Sequence, residues 1–145
     1  MAGYSGTPLA RKLGIKAGHR VVLVAAPAGF ERNLEGLPDG VSFARQARGI
    51  ADIILLFALR ATDLAAHFSA LARHLDPAGG LWVAWPKKAS GRATDLTEGV
   101  VRDIGLSTGL VDNKVCAVDE VWSGLRFVVR LADRPPRTPA KRSSR

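Results

Sequence analysis

Three stretches of the chain are apolar without alternation: residues 20–26, residues 51–58 and residues 79–85, the last reading Gly79-Gly80-Leu81-Trp82-Val83-Ala84-Trp85. Continuous aliphatic runs of this length, bounded by glycine and proline, suit strands covered on both faces, as in a parallel sheet. Between the second and third runs, Leu64, Phe68, Leu71 and Leu75 recur at i, i+4, i+7 and i+11, which predicts an amphipathic helix over 61–75. Asp76-Pro77-Ala78-Gly79-Gly80 ends that helix and leads into the third strand.

The turn and cap residues divide the rest. Thr7 as N-cap, Pro8 at the first helical position and Gly14 as the stop frame a short helix. Residues 31–37 leave room for two helical turns before the turn signal Pro38-Asp39-Gly40, and residues 41–44 alternate as a short strand. Asp95 and Glu98 fit a capping box opening a helix that runs to about Thr108, with Gly109 behind it. Residues 114–120 and 125–131 then read as strands joined across Val121-Trp122-Ser123-Gly124 as an antiparallel hairpin. Strands alternating with helices imply a single Rossmann-like α/β domain over 1–133, three-layered, with a mostly parallel sheet and a C-terminal antiparallel hairpin. Residues 134–145, with no apolar side chain larger than alanine, are expected to form a disordered basic tail.

Composition narrows the picture. A chain of 145 residues with 47% hydrophobic content has enough core to fold without disulfides or metals. The single cysteine, Cys116, excludes an internal disulfide and a cysteine-rich metal site. The first residues lack an apolar core of signal-peptide length, and the apolar run over 53–59 is too short to span a bilayer. The expectation is a cytoplasmic protein with no membrane partner. The net charge of +8 is unevenly placed: residues 1–20 carry four bases and no acid, and residues 134–145 five bases and no acid. Between them, twelve bases face thirteen acids.

Two resemblances follow from these residues. The layout from Leu13-Gly14-Ile15 into Ala25-Ala26-Pro27-Ala28-Gly29, then Asp52-Ile53-Ile54-Leu55-Leu56, then Leu75-Asp76-Pro77-Ala78-Gly79-Gly80-Leu81 resembles a reduced class I S-adenosylmethionine-dependent methyltransferase core. The chain is also similar to a bacterial family of small uncharacterised proteins, a domain of unknown function. That similarity rests on Ala10-Arg11-Lys12-Leu13-Gly14-Ile15, Trp85-Pro86-Lys87-Lys88 and Asp119-Glu120-Val121-Trp122-Ser123-Gly124-Leu125-Arg126. The methyltransferase resemblance implies a glycine-rich turn after the first strand and an acid at the end of the second. Here Gly29 is the lone glycine of that turn, and the second strand ends in Ala44-Arg45. The cofactor expectation is therefore none, with S-adenosylmethionine as the alternative.

Ligands of such sheets sit beyond the carboxyl ends of the strands, where strand order reverses. Three segments converge there in this reading: residues 26–30, residues 58–60, and Trp85-Pro86-Lys87-Lys88. Lys87, Lys88, Ser90 and Arg92, close to a predicted helix start, suit a small anionic ligand such as phosphate or carboxylate. The other reading of this loop is a solvated turn whose lysines pair with Asp95 or Glu98. Trp85 or Trp122 could stack on a planar ligand, whereas Trp82 reads as core. Gly29 and Phe30 complete the candidate ligand set. Asp119 and Glu120 read as solvated charges, Cys116 as a buried thiol, and His67 and His74 as too far apart for a metal. No catalytic residue is nominated.

The function expected from sequence is a non-catalytic binding module for an anionic small molecule. One alternative is a small methyltransferase with a reduced S-adenosylmethionine site. The other is an interaction protein that binds nucleic acid or an acidic protein through its basic ends.

Overall fold

A computed structural model of the chain describes residues 7–135. The strands are β1 (Arg20–Val24), β2 (Ser42–Ala44), β3 (Ala51–Phe57), β4 (Leu75–Pro86), β5 (Val111–Ala117) and β6 (Trp122–Val128). Among the described residues they form one sheet in the order β2-β1-β3-β4-β6-β5. The first four run parallel, and β6 runs against both β4 and β5. The expected Rossmann-like α/β fold with a mostly parallel sheet and an antiparallel C-terminal part is the observed one.

The helices α1 (Leu9–Lys12), α2 (Ala61–Ala72) and α3 (Glu98–Leu106) divide between the two faces. On one face Leu64, Phe68 and Leu71 of α2 and Val101 of α3 pack on Ile54, Leu81, Val83, Trp85 and Phe127. On the other, Ala10, Leu13, Phe30 and Leu34 pack on Val21, Leu23, Ile53, Leu55 and Trp82. The three central runs lack alternation because both faces are covered. Trp82 and Trp85, three apart on β4, enter opposite cores. The indole of Trp82 donates to Leu13 O at 3.0 Å, which satisfies its one polar atom in a dry place.

Several boundaries differ from expectation. β1 stops at Val24 because Ala25 takes a left-handed conformation, φ 59°. The space for two helical turns after Phe30 holds a single 3-10 turn, Phe30–Asn33. Helix α2 ends at Ala72, and Asp76-Pro77-Ala78-Gly79 lies inside β4, bulged between the pairs Ala51–Leu75 and Ile53–Gly80. Gly79 is required there: a Cβ on it would come within 2.1 Å of Asp52 O. The capping box is absent. Thr97 caps α3 by accepting the Val100 N–H at 3.2 Å, while Asp95 caps α2 instead.

The hairpin turn is Val118 to Val121, so Trp122-Ser123-Gly124 belongs to β6. Asp119 Oδ1 accepts the N–H groups of Val121 and Trp122, both at 2.8 Å, and so shapes that turn. Of the expected tail, Arg134 Nε donates to Val129 O at 3.0 Å, and residues 136–145 lie outside the described residues. No helix among the described residues is long and apolar enough to cross a membrane.

Candidate functional site

The chain passes from β1 to β2 on one side, then returns to place β3 on the other side of β1. Strand order therefore reverses between β1 and β3, and the crevice beyond their carboxyl ends is the place where such a sheet leaves room for a ligand. A cavity of ≈ 510 Å³ lies there. Val24, Ala25 and Pro27 line it from β1 and its turn, and Leu56, Phe57, Ala58 and Leu59 from β3 and the residues after it. Asp63 and His67 reach it from α2, and Arg92 and Trp122 complete the lining. Its size falls within the range of small-molecule sites, and its mostly apolar wall with a few polar groups is their usual composition.

Each wall has a local cause. Ala25 is the one non-glycine residue with a positive φ among those described, and it turns the chain off β1 at the cavity edge. The aromatic wall is a chain of edge-to-face contacts. Phe30 meets Phe57 with ring centroids 5.1 Å apart, and Phe57 meets Trp122 at 4.9 Å. Phe30 thus supports the wall from behind. The Arg92 guanidinium carbon stands 5.4 Å from the centroid of the Trp122 ring, within reach of a cation–π attraction. On α2, Asp63 and His67 are four apart and share a flank of the helix.

Of the residues nominated from sequence, Arg92 and Trp122 line the cavity. Lys87 is half-buried and Lys88 exposed, and both lie outside the lining. Ser90 uses its hydroxyl in the turn: Oγ donates to Lys87 O at 2.7 Å and accepts the Arg92 N–H at 3.2 Å. That turn, with Gly91 at φ 75°, carries the chain back so that Arg92 reaches Trp122. Trp85 is buried in the core beneath α2 and α3. Gly29 has φ 75° and opens the 3-10 turn; a Cβ on it would come within 2.7 Å of Arg32 Nη2. At the start of α3 the capping role falls to Thr97, and Glu98 places an acid in the first turn.

Leu59 falls in the segment 58–60 expected at this edge, whereas Asp63, His67 and Ala25 are not among the residues nominated from sequence. The available signal for Asp63 and His67 is position: each precedes a core residue, Leu64 or Phe68, on the helix that directly follows a strand at the reversal point.

The architecture is shared with solved structures. A magnesium protoporphyrin IX methyltransferase from Synechocystis PCC 6803 with bound SAM matches at 15% identity and TM-score 0.56, over 79% of this chain and 71% of that one. The DhpI–SAH complex matches at 13% identity and TM-score 0.60, over 86% and 83%. The chain shares its Rossmann-like α/β fold with these structures. A ribosomal protein L11 methylase from Lactobacillus delbrueckii subsp. bulgaricus also matches, at 13% identity and TM-score 0.55, over 84% and 75%. At these identities the likeness is one of fold. No protein-family model and no curated protein matches the chain in sequence.

Proposed function

We propose that the protein is a small methyltransferase-type domain that takes S-adenosylmethionine, or its product S-adenosylhomocysteine, in the cavity between β1 and β3. The observation that carries this reading is the position of the ≈ 510 Å³ cavity at the reversal of strand order, in a fold whose neighbours include a SAM-bound methyltransferase and an SAH complex.

The chemistry of the lining fits such a ligand. An adenosyl amino acid carries an apolar ring and thioether region, hydroxyls with an ammonium, and a carboxylate. Phe57, Leu59 and Trp122 offer the apolar wall, Asp63 an acceptor for hydroxyls or the ammonium, and Arg92 a donor for the carboxylate. When bound, the cofactor supplies an activated methyl group. The apolar wall flanks it, and His67 brings an imidazole to the same cavity.

The fit departs from the family pattern at the end of β2, where Arg45 replaces an acid. Its Nη2 pairs with Glu31 Oε1 at 2.7 Å, and Nη1 donates to Ala26 O at 3.3 Å. The guanidinium ties down the turn after β1 on its β2 side, so the ligand is held from the β3 and α2 side.

That replacement supports a second reading, in which the cavity binds an adenosyl or other anionic ligand without catalysis. Arg92 then serves as the cation, with Lys87 and Lys88 outside the cavity wall. Equilibrium dialysis with labelled S-adenosylmethionine, followed by assay of methyl transfer to small-molecule and macromolecular acceptors, separates the two. Saturable retention with transfer supports the first reading, retention without transfer the second, and no retention contradicts adenosyl binding.

A further inference from the structure

A bulge in β5 separates charges that a regular strand would keep together. Asp112 stands opposite Phe127 and Lys114 opposite Arg126, so Asn113 is an extra residue against one step of β6. Without the bulge, Asp112 and Lys114 would share a face. With it, Asp112 shares the α3 face with Phe127, and its Oδ2 accepts from Arg102 Nε at 2.9 Å. Lys114 is left beside Arg126 on the α1 face. Two cations thus stand directly opposite on neighbouring strands, an arrangement that destabilises a sheet, and the strand's own acid is turned away.

Arg126 is also held inward. Its Nε is buried without a partner, and its side chain crosses Gly80, where a Cβ would come within 2.3 Å of Nε. Burial, and then the charge of Arg134, push its guanidinium below the ordinary arginine value. Lys114 is exposed and donates from Nζ to Lys12 O at 3.1 Å, which draws it over the end of α1. None of Lys114, Arg126 and Arg134 forms an ion pair among the described residues.

A half-buried guanidinium on a residue paired with a lysine in the sheet register, and acted on by the charge of Arg134, is a charge arrangement that lacks its anion. We propose that Lys114, Arg126 and Arg134 bind the phosphodiester backbone of a nucleic acid. The planar fork of arginine matches two phosphate oxygens at once. The cations continue in sequence as Arg137, Lys141, Arg142 and Arg145 with no acid after Asp133, which suits a polymer of repeated charges better than a single phosphate. This surface is separate from the ligand cavity. Arg126 pairs with Trp82, whereas Trp122 of the cavity pairs with Pro86 at the other end of β6. The three residues include no aromatic ring, so binding is salt-sensitive and blind to sequence.

The test is fluorescence anisotropy of the full chain with a labelled mixed-sequence single-stranded RNA of about 15 nucleotides, at about 50 and about 200 mM salt. Wild type binds at low salt and weakens steeply at the higher salt. Lys114→Ala combined with Arg134→Ala lowers affinity about 10-fold and reduces the slope of log K against log salt by about one to two. Arg126→Lys keeps the charge, loses the fork and weakens binding several-fold, with folding of each variant checked by circular dichroism. A full-length variant with Gln at 137, 141, 142 and 145 isolates the end of the chain. Absence of RNA binding at low salt overturns the proposal. So does wild-type affinity in the Lys114→Ala, Arg134→Ala protein, or displacement of RNA by inorganic phosphate at low millimolar concentration, which would mark a single-phosphate site.

Discussion

Asp95 Oδ1 accepts the backbone N–H of Ala61 at 2.7 Å, so a residue 34 positions further along the chain caps α2. The N-cap residue itself, Arg60, contributes no side-chain bond. Thr94 Oγ1 adds a bond to Leu59 O at 2.5 Å, and together the two residues fasten the chain after β4 onto the cavity rim. Asp95→Ala should cost about 1 kcal/mol, the usual worth of a lost cap, while Asp95→Asn should cost a few tenths because it keeps an acceptor. Thermal denaturation should show a fall of a few degrees for the first and little change for the second.

Helix α3 lies against the sheet through a glycine. A Cβ at Gly105 would meet Phe127 Cε1 at 2.1 Å, and Phe127 is buried with its ring edge-to-face on Phe68. Gly105→Ala should destabilise by about 1–3 kcal/mol despite alanine's better helix propensity, because the ring has nowhere to move. A lower urea midpoint with an unchanged slope is the expected record.

The strands were legible where burial on both faces made the signal strong, as at Ile53 to Leu56 and at Leu81 to Trp85. They were misread where packing overrode local preference. Ser123 and Gly124 look like a turn in sequence, yet Gly124 sits mid-strand because a Cβ there would come within 3.1 Å of the Trp82 ring and of Val118. Asp95 beside Glu98 suggests a cap for the helix that follows it, yet it caps α2, because its partner Ala61 is distant in sequence. For the site, the sequence points to residues 26–30, 58–60 and 85–88 together, and the cavity takes Pro27, Ala58 and Leu59 from the first two and nothing from the third. The contributions of Asp63 and His67 depend on how α2 is rotated on the sheet, and that is set by Leu64 and Phe68 packing in three dimensions.

Ala25 holds φ 59° at the cavity edge. Alanine tolerates this conformation at a cost, and a β-branched side chain tolerates it poorly. Ala25→Val should therefore destabilise by about 1–3 kcal/mol, whereas Ala25→Gly should leave stability nearly unchanged. Chemical denaturation of the two variants side by side checks this.

Cys116 is half-buried on β5, and burial pushes its thiol up, outweighing the pull of Lys12 and Lys114 in the other direction. The thiolate is the reactive form, so less of it is present at neutral pH than in an unfolded chain, where the pKa is about 8.5. Alkylation by iodoacetamide should be slow at neutral pH. Its rate should rise with a midpoint above that of the same protein in denaturant; an equal or lower midpoint would show an activated thiol instead.

The central claim is that the cavity between β1 and β3 takes an adenosyl ligand. Isothermal titration of S-adenosylhomocysteine into the wild-type chain and into Leu59→Arg tests it most directly. Leu59 lines the cavity and is 41% exposed, so a larger side chain there obstructs the cavity without entering the core. The account predicts saturable binding near one to one in the wild type, weakened at least 10-fold in a Leu59→Arg protein of unchanged melting temperature. Equal affinity in both proteins, or no heat of binding in the wild type, would contradict it.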